Sequence, residues 1–333
     1  MRCTSCSKES CYVRNNPQRG CSEESTYPEL ETLQFQKLTM AEEEALEPYF
    51  SMRPNQICDS SFLDIFLWSR SNKLEYCLIE GKAILWKMEM DGEPYTVMPS
   101  CREEDLPYYF KLTQDYFNKV LKRPVKIFLA DVEAVEYLKL QENPYYQISK
   151  QDDLKDYLYD AEKLRTLSGR AYHKKKNLVN KFKKMYEGRW EYRSLTGEDA
   201  EEIRAFLEHW YATAKSEEEG LDKEKDGIWE VLRYPVAPGI RMGSIFVDGK
   251  MEAFTMGNYN ELEEMAFICV EKANSQIPGL YQTINQQFIV QEFPDSRIVN
   301  REDDVGLEGL RKAKLSYNPI GYAEKYTVIQ SLY

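Results

Sequence analysis

What most constrains this chain of 333 residues is that one order of elements is met twice. "SSFLDIFLWSR" (60–70) carries a dense apolar face at helical spacing. "LEYCLIEGKAILWKMEMDGEPYTVMPS" reads as three strands, joined at "EGK" and "DGEP" by the glycine that tight hairpins favour. A helix is predicted over 103–122, then a strand at "VKIFLA" and a helix at "DVEAVEYLKL" with Asp131 as N-cap. The second half runs the same way. An amphipathic helix, "EDAEEIRAFLEHWYATAK", precedes a hairpin around Asp248-Gly249 and a third strand, "EEMAFICVEKA". Then come the helix "GLYQTINQQFIVQEF", the strand "SRIVN", the helix "GLEGLRKAKLSY" and a final strand, "EKYTVIQSLY".

A strand hairpin, a third strand, then helix, strand, helix and strand resembles the order of the acyl-CoA N-acyltransferase (GNAT) fold. Met twice, without residue identity between the halves, it implies an α+β chain of two tandem GNAT-like units. Each is expected to be a mixed, mostly antiparallel sheet flanked by helices. The units are placed at 33–150 and 191–333, the second carrying the active cleft. Residues 151–190 read as a basic helical connector, bent or interrupted near Ser168-Gly169, and residues 1–32 as a flexible Cys-containing tail. A single α+β domain with a decorated sheet is the alternative.

Composition matters at three points. The net charge of −12 argues against a protein that coats nucleic acid with its whole surface. Against that background, nine Lys/Arg fall between 163 and 184 with no acid among them, Arg170, Lys174, Lys175 and Lys176 included. Such a block suits either a solvated face or a docking surface for phosphates, of an RNA backbone or of anionic lipid headgroups. No stretch approaches the roughly 20 apolar residues that cross a bilayer, and the N-terminus lacks the apolar middle of a secretion signal. The expected location is cytoplasmic, with any membrane contact peripheral to the inner face. Four of the eight cysteines, Cys3, Cys6, Cys11 and Cys21, crowd the N-terminus and suit a metal site or an exposed tail. Cys58, Cys77, Cys101 and Cys269 read as buried thiols.

Three stretches, "YDAEKLRTLSGRAYHKKKNLVNKF", "VEKANSQIPGLYQTINQQF" and "VNREDDVGLEGLRKAKLSYNPIGYAEKYTV", resemble the C-terminal catalytic domain of bacterial phosphatidylglycerol lysyltransferases and its standalone relatives of unassigned function. The likeness covers roughly residues 33 to 333. It implies a tandem GNAT-like fold and, in the lysyltransferase branch, transfer of an aminoacyl group from aminoacyl-tRNA to a lipid hydroxyl. The implied donor is a substrate, with no tightly bound cofactor. The alternatives are acyl-CoA-dependent N-acyl transfer and a non-catalytic RNA- or membrane-surface-binding protein.

Aminoacyl transfer needs donors for an oxyanion, an acid or base working near neutral pH, and a place for the leaving group. The turn at 300–310 offers candidates. Gly306 and Gly309 let backbone approach a ligand, and the amides at the helix start favour an anion. The spacing from Arg301 to Gly306 and Gly309 departs from the Arg/Gln-x-x-Gly-x-Gly/Ala loop of GNAT enzymes, which counts against CoA. Glu302, Asp303 and Asp304 are read as ligands of an aminoacyl α-amino group or as a base, Asn300 as a further substrate contact, with Arg311, Lys312 and Lys314 as compensating cations. Simple N-capping is the competing account of these acids. Glu271 and Lys272 end the strand expected beside this turn, and Tyr281 and Asn285 share a face of the next helix. Tyr317 is a candidate general acid and His173 a candidate phosphate contact. The expected catalytic set is Glu271, Asp303 and Tyr317.

Overall fold

The computed structural model describes residues 30–213, 220–234 and 239–331. Along the chain lie β1 (Gln36–Lys37), α1 (Glu43–Phe50), α2 (Phe62–Ser69), β2 (Glu75–Ile79), β3 (Ala83–Met90), β4 (Glu93–Tyr95), β5 (Ser100–Cys101), α3 (Leu106–Asp115), β6 (Lys126–Asp131), α4 (Val132–Tyr137) and β7 (Tyr146–Lys150). They are followed by β8 (Asp156–Asp160), α5 (Ala161–Thr166), α6 (His173–Met185), β9 (Trp190–Leu195), α7 (Ala200–Thr213), α8 (Leu221–Val231), β10 (Arg241–Val247), β11 (Lys250–Asn260) and β12 (Met265–Ala273). The last elements are α9 (Leu280–Glu292), β13 (Ile298–Asn300), α10 (Glu308–Leu315), β14 (Gly321–Ala323) and β15 (Lys325–Gln330).

The α+β expectation of two GNAT-like units with largely antiparallel sheets holds. The β10–β11 hairpin turns at Asp248 (φ +52°) and Gly249 (φ +77°), both left-handed as a two-residue turn of this twist requires. Asp131 caps α4 by accepting the Ala134 amide at 2.9 Å. The same carboxylate pairs with Arg53 through two bonds of 2.7 and 2.6 Å, and both groups are buried.

Strand partnership departs from chain order. β1 to β5 form one sheet, and a parallel bridge from Thr96 to Ile127 leads to a second, β6–β15–β7. The final strand therefore completes the sheet of the first unit. The second unit has seven strands in the order β14–β8–β13–β12–β11–β10–β9. Residues 151–190, read from sequence as a helical connector, thus begin with an interior strand, β8, and place only α5 and α6 in the basic block. Burial explains the difference: Tyr157, Leu158 and Tyr159 are all buried, an apolar run short enough to be read as part of a helix. The break at Ser168-Gly169 is present, with Leu167 (φ +47°) ending α5 and Gly169 at φ +91°. Of the tail expected over 1–32, residues 1–29 and with them Cys3, Cys6, Cys11 and Cys21 lie outside the described residues, and Leu30–Thr32 form a short 3-10 turn.

The two units share an apolar core. Phe62, Phe66 and Trp86 of the first cluster with Ile203, Phe246, Phe254 and Phe267 of the second. Each such aromatic or aliphatic side chain contributes about 1.5–3 kcal/mol when buried. Two glycines set close approaches. A Cβ at Gly227 in α8 would collide with the Leu67 carbonyl of α2, and one at Gly279 (φ +86°) with the Leu178 carbonyl of α6. The second contact seats α6 against the start of α9, and so determines what the basic helix faces.

Candidate active site

β12 and β13 run parallel and pair from Met265/Ile298 to Phe267/Asn300. β12 then continues through Ala273 while β13 ends at Asn300, so the two diverge and the sheet opens. A cavity of about 1660 Å³ occupies this opening and extends beneath the first unit. Its walls carry Glu271 and Lys272 from β12, Arg301, Glu302 and Asp303 after β13, Lys314 and Tyr317 at the end of α10, and Lys175 of α6.

At its centre Arg301 donates from Nη2 to Glu271 Oε1 at 2.9 Å, and Asn285 Nδ2 holds the other Glu271 oxygen at 2.8 Å. The guanidinium lies 4.7 Å from the Tyr317 ring centroid. Its Nη1 is buried and makes no hydrogen bond with a described residue. Lys175 Nζ stands 4.0 Å from the same ring centroid. Burial, and then the positive charge of Arg301, lower the Lys175 ammonium to about 8. Tyr317 is buried and its phenol is pushed up by that burial, so it keeps its proton at neutral pH.

A second group is acidic. Lys325, first residue of the exchanged strand β15, pairs with Asp59, with Asp156 at 2.7 Å and with Asp303 at 3.7 Å. Burial alone would lower Lys325, but Asp156, Asp59 and Asp303 around it raise it well above its usual range. Burial lifts Asp303 to about 6, opposed by Lys325 and assisted by Asp156 and Asp59. Burial and then Asp59 raise Asp64; burial and then Asp64 raise Glu302. Lys314 is lowered by burial and donates to the Arg301 carbonyl. Among the described residues, Cys58, Cys269 and Glu302 form a group that could hold a metal ion, their ligand atoms all within 4.8 Å of one another.

The sequence-derived residues divide accordingly. Glu271, Lys272, Tyr281, Arg301, Glu302, Asp303, Gly309, Lys314, Tyr317 and Lys175 line the cavity. Lys272 is tied to Glu224 at 2.9 Å and lies over the Trp210 ring. Asn285 sits behind Glu271 and orients it. The other assignments need correction. Asn300, read as a substrate ligand, is fully buried and spends its amide on Gln56 O and Asp156 and its oxygen on the Glu302 amide. Arg311 is engaged by Asp304 and Asp153. Lys312 projects into solvent with Glu308 as partner. Gly306 (φ +76°) shapes an exposed turn and does not line the cavity, while a Cβ at Gly309 would meet nothing within 4 Å, so no close approach demands glycine there. Arg170, His173, Lys174 and Lys176 are exposed outside the cavity, flanking Lys175. Sequence reasoning missed Cys58, Asp59, Asp64, Asp156 and Lys325. A lysine opening an apolar strand was the one available signal for Lys325, since burial there requires acidic partners.

The match to known families fits this geometry. Residues 51–329 match the family described as phosphatidylglycerol lysyltransferase, C-terminal. The chain belongs to that family. Within its fold, a conserved protein of unknown function from Bacteroides thetaiotaomicron VPI-5482 is similar at TM-score 0.82 and 26% identity, over 90% of this chain and 100% of that one. The structure of L-PGS from Bacillus licheniformis is similar at TM-score 0.62 and 15% identity, over 86% of this chain and 91% of that one, a likeness of fold alone. An uncharacterised protein of Mycoplasmoides gallisepticum is 22% identical over 203 residues, 61% of this chain, and the match spans 64% of that relative's length. Membership of the phosphatidylglycerol lysyltransferase C-terminal family supports a transferase activity at a coarse level. No helix among the described residues is long and apolar enough to cross a membrane.

Proposed function

We propose that this protein is an aminoacyltransferase that moves an aminoacyl group from the 3′ end of an aminoacyl-tRNA to a hydroxyl of a phosphatidylglycerol-like lipid or another small acceptor. Arg301 carries the reading. Its guanidinium is held by Glu271, stacked on Tyr317, and keeps one buried N–H pair without a partner among the described residues. A buried donor left in that state costs about 1–3 kcal/mol, and a substrate oxygen that develops negative charge would recover it.

In this scheme Lys175, as the free amine, takes the proton of the acceptor hydroxyl. That oxygen bonds to the ester carbonyl carbon, and the carbonyl oxygen becomes an oxyanion against Arg301. Collapse breaks the bond to the ribose oxygen, which takes the Tyr317 proton. The Lys175 ammonium, over the same ring, returns a proton to the phenolate, and both residues are restored. Ligand pockets of about 300–1,000 Å³ hold one small molecule; a cavity of about 1660 Å³ leaves room for an aminoacyl terminus beside an acceptor headgroup. Asp303 suits the donor's ammonium group. Exposed Lys174, Lys176 and Lys181 on α6 suit the RNA backbone. Family membership supports the same class of reaction.

The experiment is incubation with tRNA charged with radiolabelled amino acids and a lipid and small-metabolite extract. Label moving into the organic or small-molecule fraction is the expected result. Label retained on tRNA while an acyl-CoA is consumed would replace this reading with the CoA-dependent one, which the acids Glu302, Asp303 and Asp304 beside the start of α10 disfavour.

A further inference from the structure

We infer that Cys58, Cys269 and Glu302 form a binding site for a thiophilic divalent cation, Zn2+ foremost, with its fourth position toward the cavity. Cys58 Sγ lies 3.6 Å from Cys269 Sγ and 3.5 Å from Glu302 Oε1. Zinc at about 2.3 Å from sulfur and about 2.0 Å from oxygen, in a tetrahedron, separates two sulfurs by about 3.8 Å and a sulfur from an oxygen by about 3.5 Å. The two spacings from Cys58 are nearly those values, and all three ligand atoms lie within 4.8 Å of one another.

Each ligand comes from a separate element that fixes it. Cys58 opens the turn leading to α2, and its amide donates to buried Asp156 at 2.7 Å. Cys269 lies on β12 where that strand parts from β13. Glu302 follows β13 in a left-handed conformation, φ +56°, with its amide held by Asn300 at 2.7 Å. A glutamate in that region costs on the order of 1–3 kcal/mol and persists only where its surroundings impose it. Here it turns the carboxylate onto the two thiols. Charge balance points the same way. Asp64, Asp156 and Asp303 lie around Glu302, with Lys314 and the aspartate-paired Lys325 as cations, so carboxylates outnumber the lysines there, an imbalance that a divalent ion offsets. All three ligands line the cavity. Three protein ligands with an open fourth position is the arrangement in which zinc meets a substrate. Binding replaces two thiol protons by one metal ion and releases both protons. The inference is independent of which acyl donor the protein uses.

The test uses the full chain, reduced and freed of metal, titrated with Co2+ and then Zn2+. One equivalent of Co2+ should give the visible bands and the sulfur charge-transfer band of a tetrahedral thiolate site, and Zn2+ should bleach both. The spectrum should persist when Cys3, Cys6, Cys11 and Cys21 are all changed to Ser. It should vanish in Cys58→Ser/Cys269→Ser, and Glu302→Gln should weaken the affinity at least about tenfold. A featureless wild-type titration overturns the inference, as does a spectrum that survives the double variant or disappears with the N-terminal cysteines. Should the double variant fail to fold, X-ray absorption on the zinc-loaded chain decides. Two sulfurs per metal support the site; four sulfurs or none contradict it.

Discussion

Arg301 and Glu271 form a partly buried pair, Nη2 to Oε1 at 2.9 Å, across the gap where β12 and β13 part. Because Asn285 holds the second Glu271 oxygen, this carboxylate has no free oxygen to serve as a base. Its part is to aim the guanidinium, whose buried Nη1 makes no hydrogen bond with a described residue.

Glu271→Gln should therefore lower kcat by about 10²-fold, the scale of loss when a group is held about 1 Å out of place, and move the thermal midpoint little. The amide keeps the Asn285 side of the contact but not the charge that positions Arg301. Full turnover in this variant would remove Glu271 from the mechanism.

Lys175 as a base gives a pH profile with a definite sign. With its ammonium lowered to about 8, the free amine grows as pH rises through that value, so kcat/KM should climb and level off above it. Lys175→Met should lose about 10²–10⁴-fold. Lys175→Arg keeps the charge but cannot give up a proton, and it should fail to rescue. Rescue by arginine would make the residue an anion contact instead.

Outside the cavity, Lys174→Glu with Lys176→Glu should weaken tRNA binding and flatten its salt dependence by about 0.7–0.9 log units per log of salt for each phosphate no longer neutralised. The Lys175-dependent step should survive at saturating tRNA. Unchanged affinity and slope would show that α6 is only a solvated face.

Away from all of this, burial lifts Glu133 to about 7, with Asp131 adding to the effect, Arg53 opposing it and Glu263 adding a little. The folded state then holds a proton that the unfolded chain releases near its ordinary carboxylate range. Stability should fall as pH rises from about 4.5 to 7, by an amount on the order of 1 kcal/mol. Glu133→Gln should flatten that slope and stabilise the chain at pH 8, read as the denaturant midpoint. An unchanged slope would contradict the assignment.

Sequence carried the parts of the site that depend on local chemistry or on neighbouring strands. The Asp248-Gly249 turn, the Asp131 cap and the adjacency of β12 to the 300–310 turn follow from turn preference and element order, and that adjacency brings Glu271 to Arg301. What stayed hidden was partnership over long separations. Nothing in the alternation of "EKYTVIQ" says that β15 inserts between β6 and β7, so the meeting of Lys325 with Asp59 and Asp156 was not legible. Cys58 and Cys269 are 211 residues apart and touch only once both units are folded together. Within "HKKKN" the three lysines are equivalent as letters. Helical phase and the contact of α6 with Gly279 turn Lys175 alone to the cavity and leave Lys174 and Lys176 in solvent.

The central claim is tested most directly by a single-turnover assay. Excess protein is mixed with labelled aminoacyl-tRNA and vesicles containing phosphatidylglycerol, comparing the native chain with Tyr317→Phe. The account predicts that label passes from tRNA to the organic phase with the native chain. With Tyr317→Phe it should do so at least about 10²-fold more slowly, with tRNA binding unchanged. Label that stays on the tRNA, or moves equally fast without the Tyr317 hydroxyl, would contradict it.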